Sequence, residues 1–230
     1  MRIAVIADIH GNLLALDAVL DDLRSRGGAD ITVNLGDCVS GPLWPHETME
    51  RLQALNLPTV RGNHDRRVAQ DTADETLPLT LEIAPGVVAF HARPDHDEKY
   101  LADAIVDGQL VRAPLAAIRR RLKPVDPACR LVLCGHSHRN ELIRIPGGPV
   151  IFNPGSVGCP AYDDDTPPVH VSQQGTPHAR YGIVESGTDG RPSRFESIAV
   201  DYDHEAAAKQ AEQAGRPEWA QALRTGFIRD

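Results

Sequence analysis

Met1-Arg2-Ile3-Ala4-Val5-Ile6-Ala7-Asp8-Ile9-His10-Gly11-Asn12 opens the chain. Ile3 to Ala7 is almost wholly apolar, the pattern of a strand covered on both faces, as in a parallel sheet. A short apolar run after one arginine also suggests a stunted signal peptide. Cleavage there would cost Asp8 and His10, so a buried strand is the better reading. Asp8 and His10 leave its end two residues apart; in extended backbone such a pair points to one side and can share a cation. Gly11-Asn12 then turns the chain, with Asn12 placed to cap a helix. Leu13, Leu16, Val19, Leu20 and Leu23 form that helix's apolar stripe, which stops at Gly27-Gly28.

The same alternation continues downstream. Ile31 to Leu35 predicts a second strand, Glu47 to Leu55 a helix, and Pro58 to Arg61 a third short strand, giving parallel βαβ units. Beyond them the pattern becomes strand-rich. Leu79 to Ile83 and Val87 to Phe90 read as a hairpin about Pro85-Gly86. Lys99 to Leu122 reads as helical up to Lys123-Pro124. Arg130 to Cys134, Leu142 to Ile145, Val150 to Asn153, Arg180 to Glu185 and Arg194 to Asp201 read as strands. His204 to Phe227 reads as helix with a break at Gly215-Arg216-Pro217, and Gly158 to Ala179, rich in Asp, Pro and Gly, as a long surface loop. Two packed sheets flanked by helices fit this order better than one doubly wound sheet. With no linker or repeat, residues 1–230 are expected to form one domain.

Polar clusters follow the strands in a fixed order: Asp8-Ile9-His10, Gly36-Asp37, Gly62-Asn63-His64-Asp65, His91 and Gly135-His136-Ser137-His138. Singly each has a bland reading. Asp-x-His can be a loop start, Gly-Asp a turn, Gly62 to Asp65 a polar turn opening a short helix at Arg66 to Ala69, and His91 a core histidine. Together they gather carboxylate, amide and imidazole at the ends of strands, with no thiolate among them, which describes a two-metal hydrolytic centre. Asp37 could bridge two cations with its two oxygens, Asn63 supplies a neutral oxygen, and His64 can face a leaving group. Asp65 reads as structural or as orienting His64.

This ordered set resembles the calcineurin-like metallophosphoesterases, specifically their small bacterial and archaeal phosphodiesterase branch, from Met1 through Asn153-Pro154-Gly155-Ser156-Val157-Gly158. The resemblance implies an α/β (α+β) fold, a four-layer αββα sandwich of two mixed β-sheets flanked by helices. It implies that Asp8, His10 and His138 ligate one metal, that Asn63, His91 and His136 ligate the other, and that Asp37 bridges them. His64 matches the family's catalytic histidine, with Asp37 and Asn63 also serving catalysis. Two divalent ions would hold a bridging hydroxide for in-line attack on phosphorus. Mn²⁺ is the first choice, and His and carboxylate ligands also accept Fe, Zn, Ni or Co. The chain departs from the family at Ala92, where Gly is usual, and in the short segment Arg66 to Pro78, which reduces any cap over the site. Gly36-Asp37-Cys38-Val39-Ser40-Gly41 lacks the Asp-Arg-Gly of Ser/Thr protein phosphatases, and Asp65 stands where those enzymes carry Glu.

The expected substrate is therefore a small phosphodiester, such as a nucleotide, with symmetric dinucleoside polyphosphates or phosphomonoesters as alternatives. Its walls are sought at Trp44-Pro45-His46, after Asp65, at Asn153 to Val157 and in the loop from Gly158; Trp44 reads as packing and Arg61 as a surface salt bridge. Cys134 and Arg139 are one residue too close for a tyrosine-phosphatase loop, and a non-enzymatic scaffold would have lost ligands that are all present here. A net charge of -8 opposes nonspecific nucleic-acid binding. No apolar run approaches a membrane span. Four cysteines without a paired framework favour a cytoplasmic protein. Homo-oligomers are compatible with the sequence. His46, His96, His170, His178 and His204 read as solvated, and Asp163-Asp164-Asp165 as a solvated loop.

Overall fold

The computed structural model describes residues 1–69 and 77–228. Strand β1 (Arg2–Ile6) leads into helix α1 (Leu13–Ser25), whose first turn is capped by the Asn12 side chain accepting from Ala15 N–H at 3.2 Å. Strand β2 (Ile31–Asn34) precedes α2 (Pro45–Leu55), which begins on Pro45 and ends on a left-handed Asn56, and α3 (Asn63–Ala69). Strands β3 (Thr80–Ala84) and β4 (Val87–Phe90) form the expected hairpin. A second hairpin, β5 (Asp103–Val106) and β6 (Gln109–Arg112), leads to α4 (Leu115–Arg121). Strands β7 (Leu131–Leu133), β8 (Asn140–Arg144), β9 (Val150–Pro154), β10 (Ala161–Asp164), β11 (His170–Gln173), β12 (Ala179–Ser186) and β13 (Pro192–Val200) complete the sheets. Helices α5 (His204–Gln213) and α6 (Pro217–Thr225) close the described chain, divided at Gly215-Arg216 as expected.

Two sheets form the centre. One has the order β13-β12-β1-β2 and the other β3-β4-β7-β9-β8. Both are mixed: β1 runs parallel to β2 and antiparallel to β12, while β4, β7 and β9 are parallel with antiparallel strands on either side. Their facing surfaces interdigitate through Ile3, Val5, Val33 and Leu35 against Val87, Ala89, Leu131, Leu133 and Phe152, all fully buried. On the outer face of the first sheet, Ala4, Ile6, Tyr181 and Ile183 pack against Leu16 and Val19 of α1. On the outer face of the second, Phe90, Val132 and Ile151 pack against Ile118 and Leu122 at α4. The four layers expected from the sequence are therefore present: helix, sheet, sheet, helix. Burying a Leu or Ile in such an interface is worth about 1.5–3 kcal/mol, so continuous apolar strands with apolar helix stripes specify this stacking.

Three elements differ from the sequence reading. Pro58 to Arg61 runs beside β2 but makes a single bridge, Asn34 to Thr59, because Pro58 has no N–H to extend a ladder. Helix is confined to the end of the Lys99–Leu122 segment. Its middle is the β5–β6 hairpin, turned by Asp107 and Gly108 with φ of 50° and 73°, the left-handed pair that an Asp-Gly turn supplies. The Gly158–Ala179 segment is no surface loop. Strands β10 and β11 pair there, and β11 joins β6 to make a third, four-stranded mixed sheet, β10-β11-β6-β5. The inward residues of β11 are His170 and Ser172, so apolar alternation had no signal to give. The reduced cap expected over Arg66 to Pro78 falls largely outside the described residues. No described helix is long and apolar enough to cross a membrane.

Candidate metal centre

The ends of β1, β2, β4 and β7 converge on one edge of the sandwich. Asp8, His10, Asp37, Asn63, His91 and His138 are all buried there, and His136 reaches the same place at the wall of a cavity of about 390 Å³. Two donor groups result: Asp8 with His10 and His138, and Asp37 with His91 and His136. Asn63 joins the second group, its Oδ1 lying 3.2 Å from His91 Nε2. Asp37 faces both groups, with Oδ2 3.4 Å from His91 Nε2 and 3.8 Å from His10 Nε2. All seven sequence-selected residues are thus brought together.

The histidines are oriented from behind. His10, His91 and His138 each place Nδ1 on a backbone carbonyl, of Ser40 at 2.9 Å, Leu35 at 2.7 Å and Cys159 at 2.7 Å. His136 is turned the other way, with Nε2 on Glu98 O at 2.9 Å. A carbonyl only accepts, so the outward nitrogen carries the proton and the inward one is left as a donor for a cation. Inward nitrogens then face each other: His10 Nε2 and His138 Nε2 lie 3.3 Å apart with no proton to share, and His91 Nε2 and His136 Nδ1 lie 3.2 Å apart. Two ligands on one ion at about 2.1 Å stand roughly 3.0–3.4 Å apart, so this spacing suits a cation between them. The hard oxygen and imidazole set fits a borderline divalent ion.

Electrostatics agree with that fit. Burial, reinforced by Asp37, pushes the Asp8 carboxyl up to about 8 against the pull of His91. Burial alone would raise Asp37 too, but the imidazoles of His91 and His10 hold it well below the usual range. His91 would be lowered by burial, yet Asp37 and Asp8 raise it to about 10. Burial brings His10 down to about 4, and burial with the His91 charge brings His136 down to about 3. His138 falls well below its ordinary value by burial and the adjacent His10. These three imidazoles are neutral at pH 7, the form that ligates metal. The chain alone compensates its buried carboxyls with protons on Asp8 and His91, a place where divalent charge would do so better.

The backbone at the site is strained. Asp8, His10, Asp37, His136 and His138 have φ between 51° and 67°, a left-handed conformation costing roughly 1–2 kcal/mol per non-glycine residue. Asp8 and His10 therefore meet through two left-handed turns and not through extended backbone. Surrounding bonds hold them: Asp8 N donates to Gly36 O and His10 N to Asp37 O, both at 3.0 Å, and Ser156 Oγ donates to Asp8 O at 2.8 Å. Asn153 Nδ2 ties Gly135 O and Ser137 Oγ at 2.9 and 3.1 Å. The Asn153 to Val157 stretch, sought as a substrate wall, is thus a buttress behind the site. Gly62 has ordinary φ; it is required because a Cβ there would overlap the Asp37 carboxylate.

Asp65 does not orient His64. Its carboxylate accepts from Asp37 N at 2.7 Å, Cys38 N at 2.8 Å and Gly62 N at 2.9 Å, fastening the β2 loop to α3. Asp65→Ala would strand three buried donors at about 1–3 kcal/mol each. We expect a loss of about 3 kcal/mol or more in urea unfolding of chelated protein, with Asp65→Asn falling between. An unchanged midpoint would contradict this clamp.

His64 lies apart from both donor groups. Its backbone N donates to Asp37 Oδ1 at 2.9 Å, its ring stands edge-on to His10 with centroids 5.3 Å apart, and it lines the cavity. Sequence reading missed other walls. Trp219 of α6 stands edge-on to His10, centroids 5.9 Å apart, whereas Trp44 packs among α5 and α6 away from the cavity. Tyr100 and Tyr162 also line it. Asp163, Asp164 and Asp165 line its edge at the end of β10, with Asp163 and Asp165 exposed as the solvated reading expects, whereas His170 is buried, contrary to its solvated reading. Arg61 is paired with Asp97 at 3.2 Å, as expected. Nothing in the spacing of Trp219 or Tyr162 marked them. Cys134 is buried, and burial raises its thiol, so it is no nucleophile.

Comparison with known proteins settles the family. The model of the calcineurin-like phosphoesterase superfamily domain matches residues 1–172. The chain belongs to the calcineurin-like phosphoesterases. An uncharacterised protein of Methanocaldococcus jannaschii is 29% identical to it, over 94% of each chain. A crystal structure of a metallophosphoesterase from Sphaerobacter thermophilus shares 25% identity, covering 99% of this chain and all of that one, with a TM-score of 0.70. The Escherichia coli phosphoesterase YfcE has the same fold at 21% identity and a TM-score of 0.52, over 87% of this chain and all of its own. The family match stops before α5 and α6, so Trp219 reaches this calcineurin-like site from outside the matched region.

Proposed function

We propose that this phosphoesterase is a dinuclear-metal phosphodiesterase acting on a small phosphodiester such as a nucleotide. The observation that carries the reading is Asp37 standing between two donor groups, with His64 beside it but in neither. Asp8, His10 and His138 would hold one ion; Asn63, His91 and His136 would hold the second, with Asp37 shared. When bound, two divalent ions, Mn²⁺ first and Fe, Zn, Ni or Co after it, would supply Lewis acidity toward phosphoryl oxygens and a water acidified for attack. Asp37 fixes the spacing of the groups and, through its bond from His64 N, the placement of His64. His64 would protonate the leaving oxygen or stabilise the charge developing there. The single domain covers residues 1–230, since α6 completes the cavity wall, and four buried unpaired cysteines suit a reducing cytoplasm.

The mouth favours a diester with little negative charge. Asp163, Asp164 and Asp165 have no cationic partner among the ion pairs of the described residues, while Arg67 and Arg216 are already paired with Glu98 and Glu218. A dinucleoside polyphosphate would bring several negative charges past this acidic edge. With Mn²⁺ present, bis-p-nitrophenyl phosphate should exceed p-nitrophenyl phosphate in kcat/KM by at least about tenfold, or 1.4 kcal/mol. Cyclic nucleotides and dinucleoside polyphosphates complete the panel, and a preference for the monoester or the polyphosphate would overturn the assignment.

Chelation gives a second test. Each of two ions at 100 to 1,000 times its Kd stabilises a fold by about 2.7–4.1 kcal/mol, about 5.4–8.2 kcal/mol together. In a chain of this size that is roughly 10–30 °C in Tm. Excess chelator should abolish turnover and lower Tm by that amount, and add-back of single metals should restore both. Activity surviving full metal removal would refute the cofactor reading.

A further inference from the structure

Behind His136 and His138 lies a hydrogen-bonded chain that the metal centre itself does not require. The Tyr100 ring stacks on His136, with centroids 4.8 Å apart and planes at 29°. The Tyr162 ring meets His138 edge-on at 4.6 Å. The two hydroxyls are 2.6 Å apart, and Tyr100 Oη is also 2.6 Å from His170 Nε2. His170 Nδ1 lies 2.9 Å from Pro168 O. Tyr162 and His170 come from β10 and β11, and Tyr100 lies three residues before β5, so the third sheet and the segment leading into it build the arrangement.

We propose that Tyr100 and Tyr162, joined through their hydroxyls and anchored on His170, are positioning residues that hold His136 and His138 in ligating orientation. The inference rests on the metal-centre reading above. His136 and His138 sit on one short loop in left-handed conformation, with φ of 67° and 57°, and each serves a different donor group. Such residues keep their geometry only where their surroundings over-determine it. Carbonyls fix one nitrogen of each ring, which leaves rotation about that bond; the tyrosine faces and edges oppose it.

The proton order follows from the donors. Pro168 O accepts, so His170 Nδ1 carries the proton and Nε2 accepts from Tyr100. The Tyr100 oxygen then accepts from Tyr162. With its proton on Tyr100 Oη at 2.6 Å or His136 O at 3.4 Å, Tyr162 has none free for a leaving group, and that task stays with His64. Removing either hydroxyl cuts the bond the two tyrosines share, leaving Tyr162 only its longer bond to His136 O at 3.4 Å.

Outer partners of ligating histidines typically contribute 10–100-fold in metal affinity. Tyr100→Phe and Tyr162→Phe keep both rings and remove one hydroxyl each. Calorimetric Mn²⁺ titration of each should show at least one ion bound about tenfold more weakly than in wild type. The visible spectrum of the Co²⁺-loaded protein should shift. The double variant should lose no more than the worse single, because both substitutions cut the same link. His170→Ala reaches the chain from its far end without touching either ligand ring, and should give the same loss if a tyrosine variant fails to fold. Wild-type Mn²⁺ affinities with an unchanged Co²⁺ spectrum in these variants, or fully additive losses, would overturn the positioning role while leaving the metal centre standing. Wild-type protein binding fewer than two ions would instead overturn the metal-centre reading, and this inference with it.

Discussion

Asp37→Ala is expected to reduce turnover by at least about 10³-fold and to lower bound Mn²⁺ from two ions to one or none. The size follows from position. Asp37 is 2% exposed and offers its carboxylate to both donor groups, with His91 and His10 on one oxygen and His64 N on the other. Its loss removes the carboxylate nearest to His91 and His10 together; Asp8, 3.5 Å from His138 and 4.0 Å from His91, is left as the one carboxylate facing both groups among the described donors. The loss also leaves the proton on His91 without its main counter-charge, because Asp37 is the strongest of the groups that raise His91. Metal catalysis supplies several kcal/mol, and each 1.4 kcal/mol is tenfold. Asp37→Asn separates the two contributions. It preserves an oxygen for His64 N but halves the anionic donors, so it should retain the fold and still lose the second ion. Metal analysis beside steady-state kinetics reads both. Two tightly bound ions in Asp37→Ala would contradict the bridging role.

Much of this site was legible because a strand end leaves a simple signature. An apolar run followed by Asp8, Asp37, His91 or His136 has to change from buried packing to polar chemistry at one residue, and that change is visible in one dimension. The candidate donors were legible for that reason. Their geometry was not. Five of the seven candidate donors adopt left-handed backbone, which costs energy that only tertiary contacts such as Ser156 Oγ to Asp8 O can offset, so no local propensity announces it. The third sheet was hidden for a related reason. Its inward residues in β11 are His170 and Ser172, and its hairpin turns on Asp107-Gly108 inside a segment whose alanines and leucines read as helix. Tyr100, Tyr162 and Trp219 acquire their roles only when distant strands and a C-terminal helix fold against the ligand histidines. Their neighbours in sequence say nothing of it.

His64→Ala should separate catalysis from metal binding. The ring stands 5.3 Å from that of His10 and belongs to neither donor group, so both ions should remain bound at wild-type affinity. General acid catalysis contributes typically 10²–10⁴-fold, and a loss of that order in kcat is expected. The choice between proton donor and charge stabiliser turns on the leaving group. A poor leaving group such as a ribose or alkyl hydroxyl needs a proton as the bond to phosphorus breaks, whereas p-nitrophenolate departs readily without one. If His64 donates, the variant should lose about 10³-fold on an alkyl diester and about tenfold or less on bis-p-nitrophenyl phosphate. If it only stabilises charge on the phosphoryl oxygens, both substrates should suffer alike, because that charge forms whichever group leaves. His64→Gln sharpens the comparison: it keeps a hydrogen-bond donor that cannot give up its proton, so it should rescue the second role and not the first. Unchanged turnover on both substrates would remove His64 from the mechanism. It would then assign the residue to packing beside His10, with Asp37 and the ions alone left to drive the reaction.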